Sequence, residues 1–135
     1  MKRLLLLFGL LLVGVVMFGQ TKQKESYYQH EFAVAMNGRT EVRLMDGTRA
    51  DIVTDKYAIE VDFGAKWAEA IGQSLSYAIH LDKKAGVLLV IKDDSEIRFL
   101  ERLMKVAVEH DIQVWVWNYT TDKWSRVDYK LTYLY

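Results

Sequence analysis

Three short alternating segments, separated by gaps of four and two residues, constrain this chain more than any other feature. Thr40 to Leu44, Arg49 to Thr54 and Tyr57 to Phe63 each alternate in polarity, with Asp46-Gly47 and Asp55-Lys56 between them. Gaps this short leave no room for a crossover connection, so successive strands must run antiparallel. The spacing predicts a three-stranded antiparallel meander.

Helical and strand patterns flank it. Tyr28, Phe32, Ala35 and Met36 recur at helical spacing from Tyr27 to Met36, and Asn37-Gly38 ends the run. Trp67, Ile71, Leu75 and Ala78 mark one stripe of a helix from Lys66 to Leu81, and the apolar run Val87 to Ile91 reads as a buried strand. Asp93 and Glu96 are spaced as a capping box for a helix to Glu109, with Ile97, Leu100, Leu103, Met104 and Ala107 facing inward. Ile112 to Trp117 is another strand, on which Trp115 and Trp117 share one side; core packing is the expectation and a stacking platform the alternative. Val127, Tyr129, Leu131, Tyr133 and Tyr135 share one side of a final strand over Val127 to Tyr135. The fold class is therefore α/β: helix, three-stranded antiparallel meander, helix, strand, helix, strand, with an extra C-terminal strand.

Met1-Lys2-Arg3 puts two cations ahead of an uncharged, mostly apolar run from Leu4 to Gly19. This is the layout of a secretory signal, and about sixteen residues fall short of the roughly twenty that span a bilayer comfortably. Residues 1–20 are expected to be a signal peptide, with a periplasmic or secreted domain over residues 21–135. Met17, where cleavage favours a small residue, keeps open the alternative of a membrane anchor formed by residues 4–19. A membrane enters only if that segment is retained.

The chain has no cysteine and no proline, so disulfides, thiolate metal sites and cysteine nucleophiles are excluded. Lys plus Arg and Asp plus Glu both number 18, which removes nucleic-acid binding by a general positive field and leaves only local contacts.

The meander collects acids. With Asp55-Lys56 as a two-residue loop, Thr54 lies opposite Tyr57, Asp51 opposite Glu60 and Arg49 opposite Asp62. Strand side chains alternate, so Asp51, Glu60 and Asp62 share one face while Ala50, Ile52, Ile59 and Val61 share the other. Opposed residues have Cβ atoms about 5 Å apart, and like charges there destabilise a sheet unless something offsets them. A divalent cation does so, and carboxylate oxygens are the ligands Mg²⁺ prefers. A three-residue loop at Met45-Asp46-Gly47 puts Glu41 beside Asp51; a two-residue loop puts it on the apolar side. The same pattern also fits a solvated sheet face whose acids are neutralised by Arg49 and lysines. On the following helix Lys66, Ala70, Gln73, Tyr77 and His80 form a stripe, with Lys66 placed to reach back toward Glu60 and Gln73 and Tyr77 offering donors to a phosphate backbone.

Asp51, Glu60-Val61-Asp62 and Gln73-x-x-x-Tyr77, on this order of elements, resemble the PD-(D/E)XK nuclease superfamily, with its restriction-endonuclease-like fold, and in particular its exonuclease branch with a Gln-x-x-x-Tyr helix. The resemblance implies a metal-dependent nuclease acting on DNA: Asp51 and Glu60 as catalytic acids holding Mg²⁺ or Mn²⁺, the Val61 carbonyl as a further ligand, Lys66 orienting or activating water, and Gln73 with Tyr77 positioning nucleic acid. Glu41 and Asp62 are secondary candidates. Ala50 stands where many members have proline, and Asp62 where the motif has lysine, which is why the lysine role falls to Lys66. The alternative is a catalytically inactive fold of the same kind serving as a binding or structural module, favoured by Asp62 and the zero net charge.

His30, His80 and His110 are scattered, so no common zinc pattern is present. No glycine-rich phosphate loop occurs, so no nucleotide cofactor is expected, and Ser74 with His80 lacks the elbow of a serine hydrolase.

Overall fold

The computed structural model describes Gln20–Tyr129; the leader or anchor expected at the N-terminus and the last six residues of the expected C-terminal strand lie outside the described residues. The elements are α1 (Glu25–Ala35), β1 (Arg39–Arg43), β2 (Arg49–Val53), β3 (Tyr57–Phe63), a 3₁₀ turn (Gly64–Lys66), α2 (Trp67–Leu81), β4 (Lys84–Ile91), a second 3₁₀ turn (Asp94–Glu96), α3 (Ile97–Glu109), β5 (Gln113–Asn118) and β6 (Lys123–Arg126). The six strands form one sheet in sequence order, antiparallel from β1 to β3, parallel from β3 to β5, and antiparallel again at β6. The α/β class is as the patterns imply. Among the described residues no helix is long and apolar enough to cross a membrane.

The layering follows from handedness. Both parallel crossovers step the same way across the sheet, and right-handed connections then put α2 and α3 on one face. Their Ala70, Ala78, Leu103, Met104 and Ala107 cluster with Val87, Leu89, Ile91, Ile112 and Val114. On the opposite face Tyr28, Phe32 and Ala33 of α1 meet Ile52, Ile59, Val61, Leu88, Val90, Trp115 and Trp117. Alternate residues of β4 thus go to opposite cores, which is why its sequence reads as a continuous apolar run. Trp115 lies edge-on to Phe32 and Tyr57, and Trp117 to Tyr28, at centroid separations of 5.2–5.4 Å. Both indoles are core residues. A Cβ at Gly86 would meet the Trp115 ring at 2.9 Å, so only glycine lets that ring lie flat on β4.

Three helices end alike. Asn37, Asp82 and Asp111 take left-handed torsions just past α1, α2 and α3, and the next residue's N–H turns back to Ala33, Ala78 or Ala107. Short polar side chains tolerate this conformation.

Several expectations need correcting. The last described strand lies ahead of the expected one: β6 is Lys123–Arg126, all exposed, and Val127 to Tyr129 are outside any strand, although the Val127 N–H still donates to the Val114 carbonyl at 2.9 Å. An edge strand with one solvated face has no apolar period to betray it. The buried line of α2 is Ala70, Ser74, Tyr77 and Ala78, whereas Trp67, Ile71 and Leu75 are half-buried. Small side chains let the helix lie close to the sheet, and the large ones flank that line. Likewise Gln29 and Ala33, not Ala35 and Met36, complete the buried line of α1. Ile97 is exposed, because the buried part of α3 starts at Leu103. Asp93 accepts from the Ser95 N–H, but Glu96 reaches back to the Lys92 N–H, so the capping box closes one residue early.

Candidate functional site

The two-residue loop at Asp55-Lys56 and the Thr54–Tyr57 hydrogen bond set the register that puts Asp51 opposite Glu60. Beyond the Ile52–Ile59 pair, however, the ladder stops. The Val61 N–H donates instead to the Asp51 carboxylate, at 2.8 Å to Oδ2. The N–H and C=O of one strand residue point the same way, so the Val61 carbonyl is aimed into the same fork.

The β1–β2 turn is a three-residue loop: Gly47 is left-handed at φ 86°, and the Leu44 N–H donates to the Thr48 carbonyl at 2.8 Å. Glu41 therefore falls opposite Asp51, between the Thr40–Ile52 and Val42–Ala50 pairs. It also takes a left-handed φ of 54° within the strand, at a cost on the order of 1–3 kcal/mol. Past this point the hairpin bends toward α2: Leu44 and Ala50 pack with Val53, Ala58 and Tyr77, and Asp46 lies 3.3 Å from His80 Nε2. Ala50 therefore does not share the apolar layer of Ile52 and Ile59. His80, the last member of the helical stripe, serves this hairpin tip rather than the pocket.

The bend and the fork enclose a cavity of about 390 Å³ lined almost wholly by polar groups. Asp51, Glu60 and Asp62 meet there with Glu41 and Arg49 from the hairpin, with Lys66 from the 3₁₀ turn and with Glu69, Gln73 and Tyr77 along α2. All the candidate side chains thus converge, while Val61 takes part through its backbone. Lys66 ends the 3₁₀ turn, and its Nζ settles 4.0 Å from Asp62 rather than against Glu60. The Gln73 amide donates to the Tyr77 hydroxyl at 3.3 Å.

Sequence reasoning missed Glu25, whose side chain enters the cavity from the first turn of α1. Apolar spacing began that helix at Tyr27 and left Glu25 in the polar stretch after the leader. The signal available was an acid in a first helical turn, where the dipole favours it. Gln29, one turn on, was missed too. Its buried Nε2 donates to Glu41 Oε1 at 2.8 Å and to the Asp51 main-chain oxygen at 2.9 Å, while Arg49 holds the other Glu41 oxygen at 3.0 Å.

The acids are not a solvated face. Glu60 is 5% exposed and Asp62 3%, beneath α2. Burial raises the Asp62 carboxyl to about 6, with Glu25 adding to the shift and Lys66 opposing it. Asp51 and Glu60 are both raised, chiefly by burial, and Glu60 further because the Asp51 charge lies beside it. Tyr77 is raised by burial and by Glu60. Glu60 Oε2 is buried with no hydrogen-bond partner among the described residues. An orphaned carboxylate oxygen between acids fits a cation, which would supply the missing partner. Among the described residues no three His, Cys, Asp or Glu side chains are grouped so as to hold a metal ion by themselves. Mg²⁺ commonly takes only one or two protein carboxylates and keeps several waters, so the Asp51–Glu60 pair is an adequate donor set.

No protein-family model and no solved structure matches the chain. It is similar to a protein of Acanthamoeba polyphaga mimivirus described as KilA-N domain-containing, with 29% identity over 89 residues. That match takes in 66% of this chain but 24% of the viral protein, so the chain spans about a quarter of its relative's length.

Proposed function

We propose that this protein is a divalent-cation-dependent nuclease that hydrolyses phosphodiester bonds in DNA, built on a restriction-endonuclease-like core. One observation carries the reading: half-buried Asp51 and buried Glu60 are side by side at the wall of an open polar cavity, with a Glu60 oxygen that has no hydrogen-bond partner among the described residues. A purely structural sheet gains little from that arrangement, because burying two neighbouring carboxyl groups is costly even where Asp51 and Tyr77 share hydrogen bonds with Glu60.

Asp51, Glu60 and the Val61 carbonyl would hold Mg²⁺ or Mn²⁺. When bound, the ion would lower the pKa of water and stabilise charge on the phosphate. The chain's own groups do the rest. Val61 N–H keeps the Asp51 carboxylate aimed into the fork. Lys66, tethered loosely by Asp62 and largely solvated, is free to donate to the attacking water or to a non-bridging phosphate oxygen. Gln73 and Tyr77, joined by their own hydrogen bond, present donors along the cavity wall for the backbone of the strand being cut.

The test is hydrolysis of linear and circular DNA by the purified protein with Mg²⁺, Mn²⁺ or EDTA, alongside Asp51→Ala and Lys66→Ala. Metal-dependent cleavage is expected, abolished by Asp51→Ala and reduced about 10²–10⁴-fold by Lys66→Ala. A folded protein that neither cuts DNA nor binds a divalent ion would sink the reading. A second reading, a binding module without catalysis, is favoured by Asp62 in the motif's lysine position; binding DNA without cutting it would select that one. Export by a signal in residues 1–20, or tethering by residues 4–19, is a separate proposal. Its check is the N-terminal sequence of the protein recovered from periplasm, medium and membrane.

A further inference from the structure

We infer that Gln29 is a positioning residue for the acidic pocket, fixing Asp51 and holding Glu41 in its left-handed conformation. The inference rests on reading that pocket as a cation site. Gln29 is 7% exposed, and nothing in its position on α1 requires an amide for packing: its neighbours along the helix, Tyr28, Phe32 and Ala33, are apolar. Its one nitrogen reaches two acceptors on two strands, the Glu41 carboxylate and the Asp51 main-chain carbonyl. A primary amide has two N–H donors, so both are used.

The consequence is a stitch across three elements. Glu41 in a regular strand would extend its side chain without strain, yet it takes φ 54°. Its carboxylate is then held on one oxygen by Gln29 and on the other by Arg49. Held in this way, Glu41 stays beside Asp51, whose pKa its charge still raises, and the hairpin bends to form a wall of the pocket. The same amide pins the backbone of Asp51 from one side while the Val61 N–H takes its carboxylate from the other. Asp51 is therefore set in place from one side by Gln29, which would not itself touch a cation, and from the other by the Val61 N–H. Outer-shell partners of this kind typically change metal affinity by about 10–100-fold.

The experiment compares wild-type protein with Gln29→Met, which keeps the length of the side chain and removes both donors. Gln29→Asn, which keeps an amide one methylene too short to reach both acceptors, serves if the first variant does not fold. Mn²⁺ binding is titrated for each, and the ¹³Cα and ¹³Cβ shifts of Glu41 report its backbone torsions in metal-free protein. The expected result is Mn²⁺ affinity at least about tenfold weaker, with the Glu41 shifts moving to extended values and the fold retained. Unchanged affinity and unchanged Glu41 shifts in a folded variant would overturn the assignment. If wild-type protein binds no Mn²⁺, the cation-site reading fails on its own, and the Glu41 shifts alone decide whether Gln29 holds that residue: extended values in the variant support it and left-handed values refute it.

Discussion

Strand β3 sends alternate residues into two environments of opposite character. Tyr57, Ile59 and Val61 enter the aromatic layer beneath α1, where Phe32 meets Trp115 and Tyr28 meets Trp117 edge to face. Ala58, Glu60 and Asp62 go beneath α2, where carboxylates crowd. Both sides are buried, so burial alone does not distinguish them. On the first, each Å² of apolar surface removed from water stabilises the fold by roughly 25 cal/mol. On the second, desolvated acids repel one another and a Glu60 oxygen is left without a partner among the described residues. One face holds the protein together, and the other keeps a tension that a cation would relieve.

The comparison breaks most visibly at its apolar side. Leu88→Ala, in the same layer but on β4 and so not on the helix that carries Gln29, should cost about 2–5 kcal/mol of unfolding free energy, read by urea denaturation, while leaving Mn²⁺ affinity within about twofold of wild type at temperatures where the variant is folded. A large loss of affinity would mean that the two layers are not separable. Glu60→Gln should do the reverse. Replacing a buried, repelled carboxylate with an amide is expected to raise stability at pH 8 by about 1 kcal/mol and to abolish cation binding; a destabilised variant would show that Glu60 makes a stabilising contact instead.

The pH dependence of metal-free protein sharpens the contrast further. Asp62 titrates near 6 when folded and near its ordinary value of about 4 when unfolded. Between those values the folded state binds more protons, so stability must fall as pH rises through the window. Urea midpoints in EDTA should be higher at pH 4.5 than at pH 7, with a shallower slope in Asp62→Asn and in saturating Mg²⁺. Midpoints that rise with pH would contradict the buried acidic layer. The smallest effect is expected far from both layers: Met45→Ser, at the exposed hairpin tip, should change stability by less than about 0.5 kcal/mol.

Much of this was legible in the residues. Counting from the Asp55-Lys56 loop brings Asp51 and Glu60 together, whereas the first turn left two loop lengths open, and only the left-handed Gly47 of the structure decides that Glu41 joins them. The convergence of Lys66, Gln73 and Tyr77 follows from helical spacing on α2. Glu25 and Gln29 were not legible, because they sit on α1, whose approach to the hairpin is set by packing of Tyr28 and Phe32 against distant strands. β6 escaped for a different reason: with all four residues exposed, it is held by pairing to β5 and carries no apolar period.

The amino-acid order by itself determined the α/β class, the meander and the grouping of acids, since these depend on turn chemistry and on periods of two and 3.6 residues, all local. Only the tertiary structure decided that the acidic face is buried rather than solvated. The same strand pattern is compatible with water or with a helix above it, and the choice came from the handedness of the two crossovers, which laid α2 and α3 over the side of the sheet on which Glu60 and Asp62 lie.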